Sequence, residues 1–155
     1  MKKLLFLAIA IPTLLAGSLR AQDDRPRHPD RREWMGQIAV IVRDCDLRAT
    51  EFRSALARAL DRSRLDGTRA EGQLNEQAKR LDVAIHRLRE SWNQGHDPER
   101  SREQVREAVA AARELNWAIE TDQVRGRVQH EWDVLRAEVN RLAAVFHEPQ
   151  IRWER

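Results

Sequence analysis

Four apolar stripes at helical spacing, separated by short polar breaks, constrain this 155-residue chain more than any other feature. Trp34, Ile38, Ile41, Cys45, Phe52, Leu56, Ala59 and Leu60 form the first. Leu74, Ala78, Leu81, Ile85, Leu88 and Trp92 form the second, and Val105, Val109, Ala112, Leu115 and Ile119 the third. Val128, Trp132, Leu135, Val139, Leu142 and Phe146 form the fourth. Recurrence every three, four or seven residues puts each set on one helix face, which must be buried while the rest stays solvated. Short connections force successive helices to run antiparallel. The chain is therefore expected to be all-α, an up-down-up-down four-helix bundle forming one domain over residues 33–155.

The breaks carry matching chemistry. Asp30 with Glu33 offers a capping-box start to the first helix. Asp66-Gly67-Thr68 punctuates the chain, with Gly67 suited to a left-handed helix end and Thr68 with Glu71 to a second capping box. Asn93-Gln94-Gly95 ends the second helix, Asp97-Pro98 opens the third, Thr121 and Asp122 start the fourth, and Pro149 stops it. The first helix reads as about 35 residues, to about Leu65, against about 24 for its partners. Asp46, Thr50 and the off-stripe Leu47 invite a kink or break between Asp44 and Thr50. A shift of 54 residues superposes the second stripe on the fourth, Leu74 on Val128 through Trp92 on Phe146. Two related hairpins would give this match, and so would any two amphipathic helices.

Ahead of the stripes, Lys2 and Lys3 precede an apolar run from Leu4 to Leu15 and small residues to Ala21. That order is a secretory signal over residues 1–21, too short in its apolar part to span a bilayer. Cleavage after Ala21 is expected; because Leu19 fits the cut poorly, an uncleaved signal acting as an anchor is the alternative. Leu15-Ala16-Gly17-Ser18 has the shape of a lipoprotein box, but Ser18 stands where the lipidated cysteine is required. Residues 22–32 have only prolines for apolar side chains and read as a flexible polar leader. An exported protein, periplasmic or extracellular, with no stable membrane insertion after cleavage, is the expectation.

Lys2, Lys3 and Arg20 leave with the signal, so 28 basic residues fall to 25, against 25 acidic. A neutral mature chain lacks the electrostatic drive for nonspecific nucleic-acid binding. Glu99, Arg102, Glu103, Arg106 and Glu107 alternate in sign as a solvated surface does. The single cysteine, Cys45, excludes paired-cysteine haem, zinc and redox motifs; it is either a buried apolar residue or an intermolecular disulfide across a dimer.

Candidate chemistry is sparse. Asp82, His86 and Glu90 stand four residues apart on the second helix and form a candidate surface metal site. Asp82 and Glu90 are about 12 Å apart along the axis, so one ion cannot hold all three, and a solvated charged face is the simpler reading. His130-Glu131 and His147-Glu148 are adjacent and diverge around the helix. No histidine has a glutamate three residues before it, as di-iron bundles require. His96-Asp97 reads as a loop with no nucleophile tied to it. A calcium loop with Gly67 sixth puts Arg62 first and Gln73 twelfth, where carboxylates are needed. No cofactor is expected, and the chain does not read as an enzyme.

Five tryptophans without a tyrosine are the remaining signal. Trp92 and Trp132 lie on core stripes, and Trp117 falls beside the third. Trp34 and Trp153 lie near the two ends of the mature chain. With Ile38, Ile151 and Cys45 they either form a partner surface or, if Ile151 and Trp153 fold back, seal one end of the bundle.

The stretch Ala59-Leu60-Asp61-Arg62-Ser63-Arg64-Leu65-Asp66-Gly67-Thr68-Arg69, with Glu131-Trp132-Asp133-Val134-Leu135-Arg136 and Asn140-Arg141-Leu142-Ala143, resembles a set of secreted bacterial helical proteins to which no activity is assigned. The resemblance covers most of the mature chain and implies no activity. The leading functional expectation is a noncatalytic secreted bundle acting through protein contacts or self-association, as a structural, adaptor or chaperone-like component. A divalent-metal or small-ligand sensor is the alternative. Anionic-polymer binding through Arg62, Arg64 and Arg69 is a third.

Overall fold

A computed structural model describes residues 31–95, 98–121 and 124–153. The signal, most of the leader, the Asp30 cap, the His96-Asp97 loop and Asp122 lie outside the described residues. Four helices account for the fold: α1 (Arg31–Leu60), α2 (Arg69–Gln94), α3 (Pro98–Thr121) and α4 (Arg125–Val145). Helix α1 meets α2 and α4, and α3 meets the same two; the diagonal pairs do not approach. The bundle is thus a square in sequence order, as the short connections require.

All four stripes converge in the middle. Ile38, Cys45, Phe52, Leu56 and Leu60 of α1 are buried against Leu81, Ile85 and Leu88 of α2, Leu115 and Ile119 of α3, and Trp132, Leu135 and Val139 of α4. Each fully buried aliphatic side chain contributes roughly 1.5–3 kcal/mol. At the centre the rings of Phe52 and Trp132 meet at 5.4 Å and 57°. Trp92 is buried as its stripe demands. The twelve residues matched by the shift of 54 all face this core, from diagonally opposite helices.

The punctuation around Gly67 follows the sequence closely. Gly67 adopts φ 72°, the Thr68 hydroxyl accepts from the Glu71 N–H at 3.3 Å, and the Glu71 carboxylate reaches back. It accepts from the N–H of Gly67 at 2.7 Å, because the Thr68 N–H already donates to the Leu65 carbonyl.

Three boundaries differ from expectation. Helix α1 ends at Leu60, not Leu65: the Ser63 hydroxyl accepts from the Leu65 N–H at 2.9 Å and folds the segment into turns, with Leu65 still against the core. It is continuous through Asp44–Thr50, where Asp46 and Thr50 face α2 and hydrogen-bond across the seam rather than breaking the helix. Arg31 and Arg32 already belong to α1, so the leader is shorter than its composition implies. Thr121 closes α3, its hydroxyl donating to the Trp117 carbonyl at 2.9 Å, and α4 starts at Arg125.

Helix α4 stops before Pro149. His147 takes the left-handed φ of 59°, its N–H donates to Ala144 at 3.2 Å, and that of Glu148 donates to Ala143 at 2.8 Å. This pair of bonds is a Schellman end with histidine in the position that favours glycine. The chain then turns back along the groove between α3 and α4. Among the described residues no helix is long and apolar enough to cross a membrane.

Candidate functional site

Helix α3 carries two faces. Its core stripe turns inward, while Ala110, Glu114, Trp117 and Thr121 follow one another at intervals of four, three and four on a face beside α2. Trp117 is 60% exposed, the most exposed of the large apolar side chains described. An indole left in water needs a reason, because a tryptophan is the residue most often spent on anchoring a partner.

Trp117 borders a groove of about 650 Å³ between the first half of α2 and the last turns of α3. Arg69, Glu76 and Arg80 form the opposite wall, and Gly72 and Ala118 keep it open. A Cβ at Gly72 would touch nothing within 4 Å, so packing does not demand glycine there. Gln77 also lines the groove, and its Oε1 is buried with no hydrogen-bond partner. Such an atom is costly unless a donor meets it. The groove continues along the same seam into a depression of about 400 Å³ lined by Val83, Ala84, Ala110 and Ala111, the two sharing Glu76 and Arg80. The surface thus combines an exposed aromatic, a small-residue floor and flanking arginines.

The charged face of α2 is occupied differently. Asp82 accepts from Arg53 at 2.5 Å and from the Thr50 hydroxyl at 3.4 Å. His86 lies between two carboxylates, Asp46 of α1 at 3.2 Å from Nδ1 and Glu90 at 3.3 Å from Nε2. Arg89 completes the cluster on Asp46 at 2.9 Å. Of the three residues read as metal candidates, Asp82 and His86 thus bond across the α1/α2 seam while Glu90 meets His86 from its own helix, and the two ring nitrogens point to opposite carboxylates. Asp46, the residue that joins the helices, is one the sequence marked only as a possible helix break.

Among the described residues, the carboxylates able to surround one ion are Asp61, Asp66 and Glu71, whose oxygens lie within 4.8 Å of one another. Glu71 is there already engaged by the Gly67 N–H. The same turn holds Arg62, whose carbonyl accepts from Arg127 at 3.2 Å, so acids and arginines interleave.

The partner surface built from Trp34, Ile38, Cys45 and Trp153 is corrected by burial. Ile38 is 1% exposed and Cys45 fully buried, as a stripe facing three other helices must be. Burial, then the charges of Glu138 and Asp44, raises the Cys45 thiol far above the ordinary cysteine range. A sulfur enclosed in this way cannot reach a second chain without unfolding. Trp34 packs half-buried against the core. Trp153 does likewise: its Nε1 donates to Asp133 at 3.0 Å and the Arg136 guanidinium lies 4.9 Å from its ring centroid. Ile151 and Trp153 do fold back, but they fill a side seam rather than the end of the bundle.

No protein family, curated protein or solved structure matches this chain. Its function therefore rests on the geometry of its own surface.

Proposed function

We propose that this protein is a noncatalytic, exported helical bundle that acts through protein contacts, in an adaptor or chaperone-like role, with the α2/α3 groove as its contact surface. The observation that carries the reading is Trp117, 60% exposed beside an open groove floored by Gly72 and Ala118 and flanked by Arg69 and Arg80. An apolar side chain of a bound segment would cover the indole. Export is supported by the sequence order of residues 1–21 alone.

The test is suppression of aggregation of a reduced, unfolding client protein by the mature chain and by Trp117→Ser. The wild type should slow light scattering at stoichiometric ratios, and Trp117→Ser should lose most of that effect while melting at the same temperature. Equal activity of the two would remove the groove from the function. A melting temperature that instead rises with calcium or zinc would favour the sensing alternative.

A further inference from the structure

The seam between α3 and α4 is filled by the chain itself. Arg113 of α3 donates to the Pro149 carbonyl at 2.8 Å, and Asn116 of α3 to the Arg152 carbonyl at 3.3 Å. Asn140 of α4 takes both main-chain groups of Ile151, accepting its N–H at 2.7 Å and donating to its carbonyl at 3.0 Å. These four bonds go to main chain and would form with any residue types at the positions they hold, proline at 151 excepted. Side-chain selection enters at two places only. Ile151 is 3% exposed, Arg152 points to solvent and Trp153 is half-buried on Arg136 and Asp133, the alternation of an extended strand.

Asn116 is the fixed element of this reader. It is itself buried, its Oδ1 accepts from Trp132 Nε1 at 2.9 Å, and its amide nitrogen is shared between the Glu120 carboxylate at 3.2 Å and the tail. A polar group held this way from the core is a preorganised donor, not a surface side chain that has happened on a partner.

We propose that the α3/α4 groove is a binding site for extended polypeptide, filled in cis by residues 148–153, which accepts from other chains segments with an aliphatic residue followed two positions later by an aromatic. This rests on the reading that the protein works through protein contacts, but it uses a different face from Trp117. The bound tail is the specimen of its ligand: the chemistry is main-chain recognition plus two apolar positions, as in strand-addition modes of peptide binding. A tethered tail competes at an effective concentration in the millimolar range, so the groove opens to a partner only when that partner outcompetes the tail.

The experiment titrates a labelled peptide copying residues 148–153 into the mature wild-type chain and into the double variant Ile151→Ser, Trp153→Ser. The double variant keeps the groove and weakens its own tail. It should bind at least tenfold more tightly than wild type, and adding Asn140→Ala should lose that gain. Trp117→Ser on the double-variant background should leave peptide affinity unchanged, which separates this site from the α2/α3 groove. Equal affinity of wild type and double variant, or indifference to Asn140→Ala, overturns the proposal. Should the double variant not fold, the indole N–H resonance of Trp153 in the wild type gives the answer: millimolar peptide should move it to its solvent-exposed position. A resonance that stays in place under saturating peptide overturns the proposal equally.

Discussion

The α1/α2 and α3/α4 hairpins share an antiparallel arrangement and closely matched core stripes, yet they close their outer seams by different means. Between α1 and α2 the seam is ionic: Asp46 meets His86 and Arg89, and Asp82 meets Arg53. Between α3 and α4 the seam is filled by inserted main chain, with Asn116 and Asn140 gripping a returning tail whose Ile151 is buried. At the tail's start, a hydrogen bond from Arg106 to Glu148 at 2.8 Å, with the charge of that carboxylate, raises the guanidinium further above its ordinary range. The lesson is energetic. Ion pairs whose arginines are 39–47% exposed side chains hold register more than stability, whereas amides bonded to main chain leave costly orphans when removed.

The largest effect belongs to the residue on which the inserted seam depends. Trp132→Ala should lose about 3–5 kcal/mol of unfolding free energy, because it opens a cavity beside Phe52 and leaves the Asn116 oxygen without its donor. Trp132→Phe should recover part of the volume but not the hydrogen bond, so urea unfolding should place it between wild type and Trp132→Ala.

Next comes the direct comparison of seams. Asn140→Ala should cost about 1–3 kcal/mol, independent of salt, since two main-chain groups of Ile151 lose their partner. Asp46→Ala should cost below about 1 kcal/mol, and that loss should shrink as salt rises. A larger or salt-insensitive loss for Asp46→Ala would erase the distinction between the hairpins.

Cys45 sits in the core of the ionic hairpin and predicts a pH dependence. Burial raises its pKa in the folded state, so the unfolded thiol ionises first as pH rises. Stability contributed by this group is complete below the ordinary thiol pKa and lost above it, at up to about 1.4 kcal/mol per pH unit beyond about pH 8.5. Urea titrations between about pH 8 and 10 should show this slope in wild type and not in Cys45→Ala. Light scattering should give one mass with and without reductant, because the enclosed sulfur is closed to a second chain.

The smallest effect is at the hinge into the tail. His147→Gly should raise stability by about 0.5 kcal/mol, relief of the left-handed φ of 59° exceeding the greater freedom of the unfolded glycine. Thermal melting resolves that sign, and a decrease would mean that the imidazole contributes contacts outweighing the backbone strain.

Much of the fold is legible in local patterns. Each stripe fixes which face of its helix is buried, and Thr68 with Glu71 marks a start that the backbone then adopts, down to the left-handed Gly67. Asp46 and Thr50 mislead because a polar pair inside a helix has the same sequence appearance whether it breaks the helix or reaches a neighbour. Ser63 misleads in the other direction, since one hydroxyl on the Leu65 N–H converts a continuing stripe into a turn. Of the candidate surface, Trp117 is visible as an aromatic beside its stripe, but the groove is a property of two helices. Asn116 and Asn140 carry a faint signal, as polar residues within otherwise apolar helical faces.

What the sequence determined by itself is periodic and local: the four helices, their inward faces, the capped turn at Gly67 and the antiparallel order imposed by short connections. Only the tertiary structure decided which charges meet, that Cys45 is enclosed and Trp117 is not, and that residues 148–153 return to the α3/α4 seam. Periodicity is set by the 3.6-residue turn of a single helix and can be read along the chain. A seam is set by the relative placement of two helices, and a shift of one turn would exchange every partner across it while leaving each stripe unchanged.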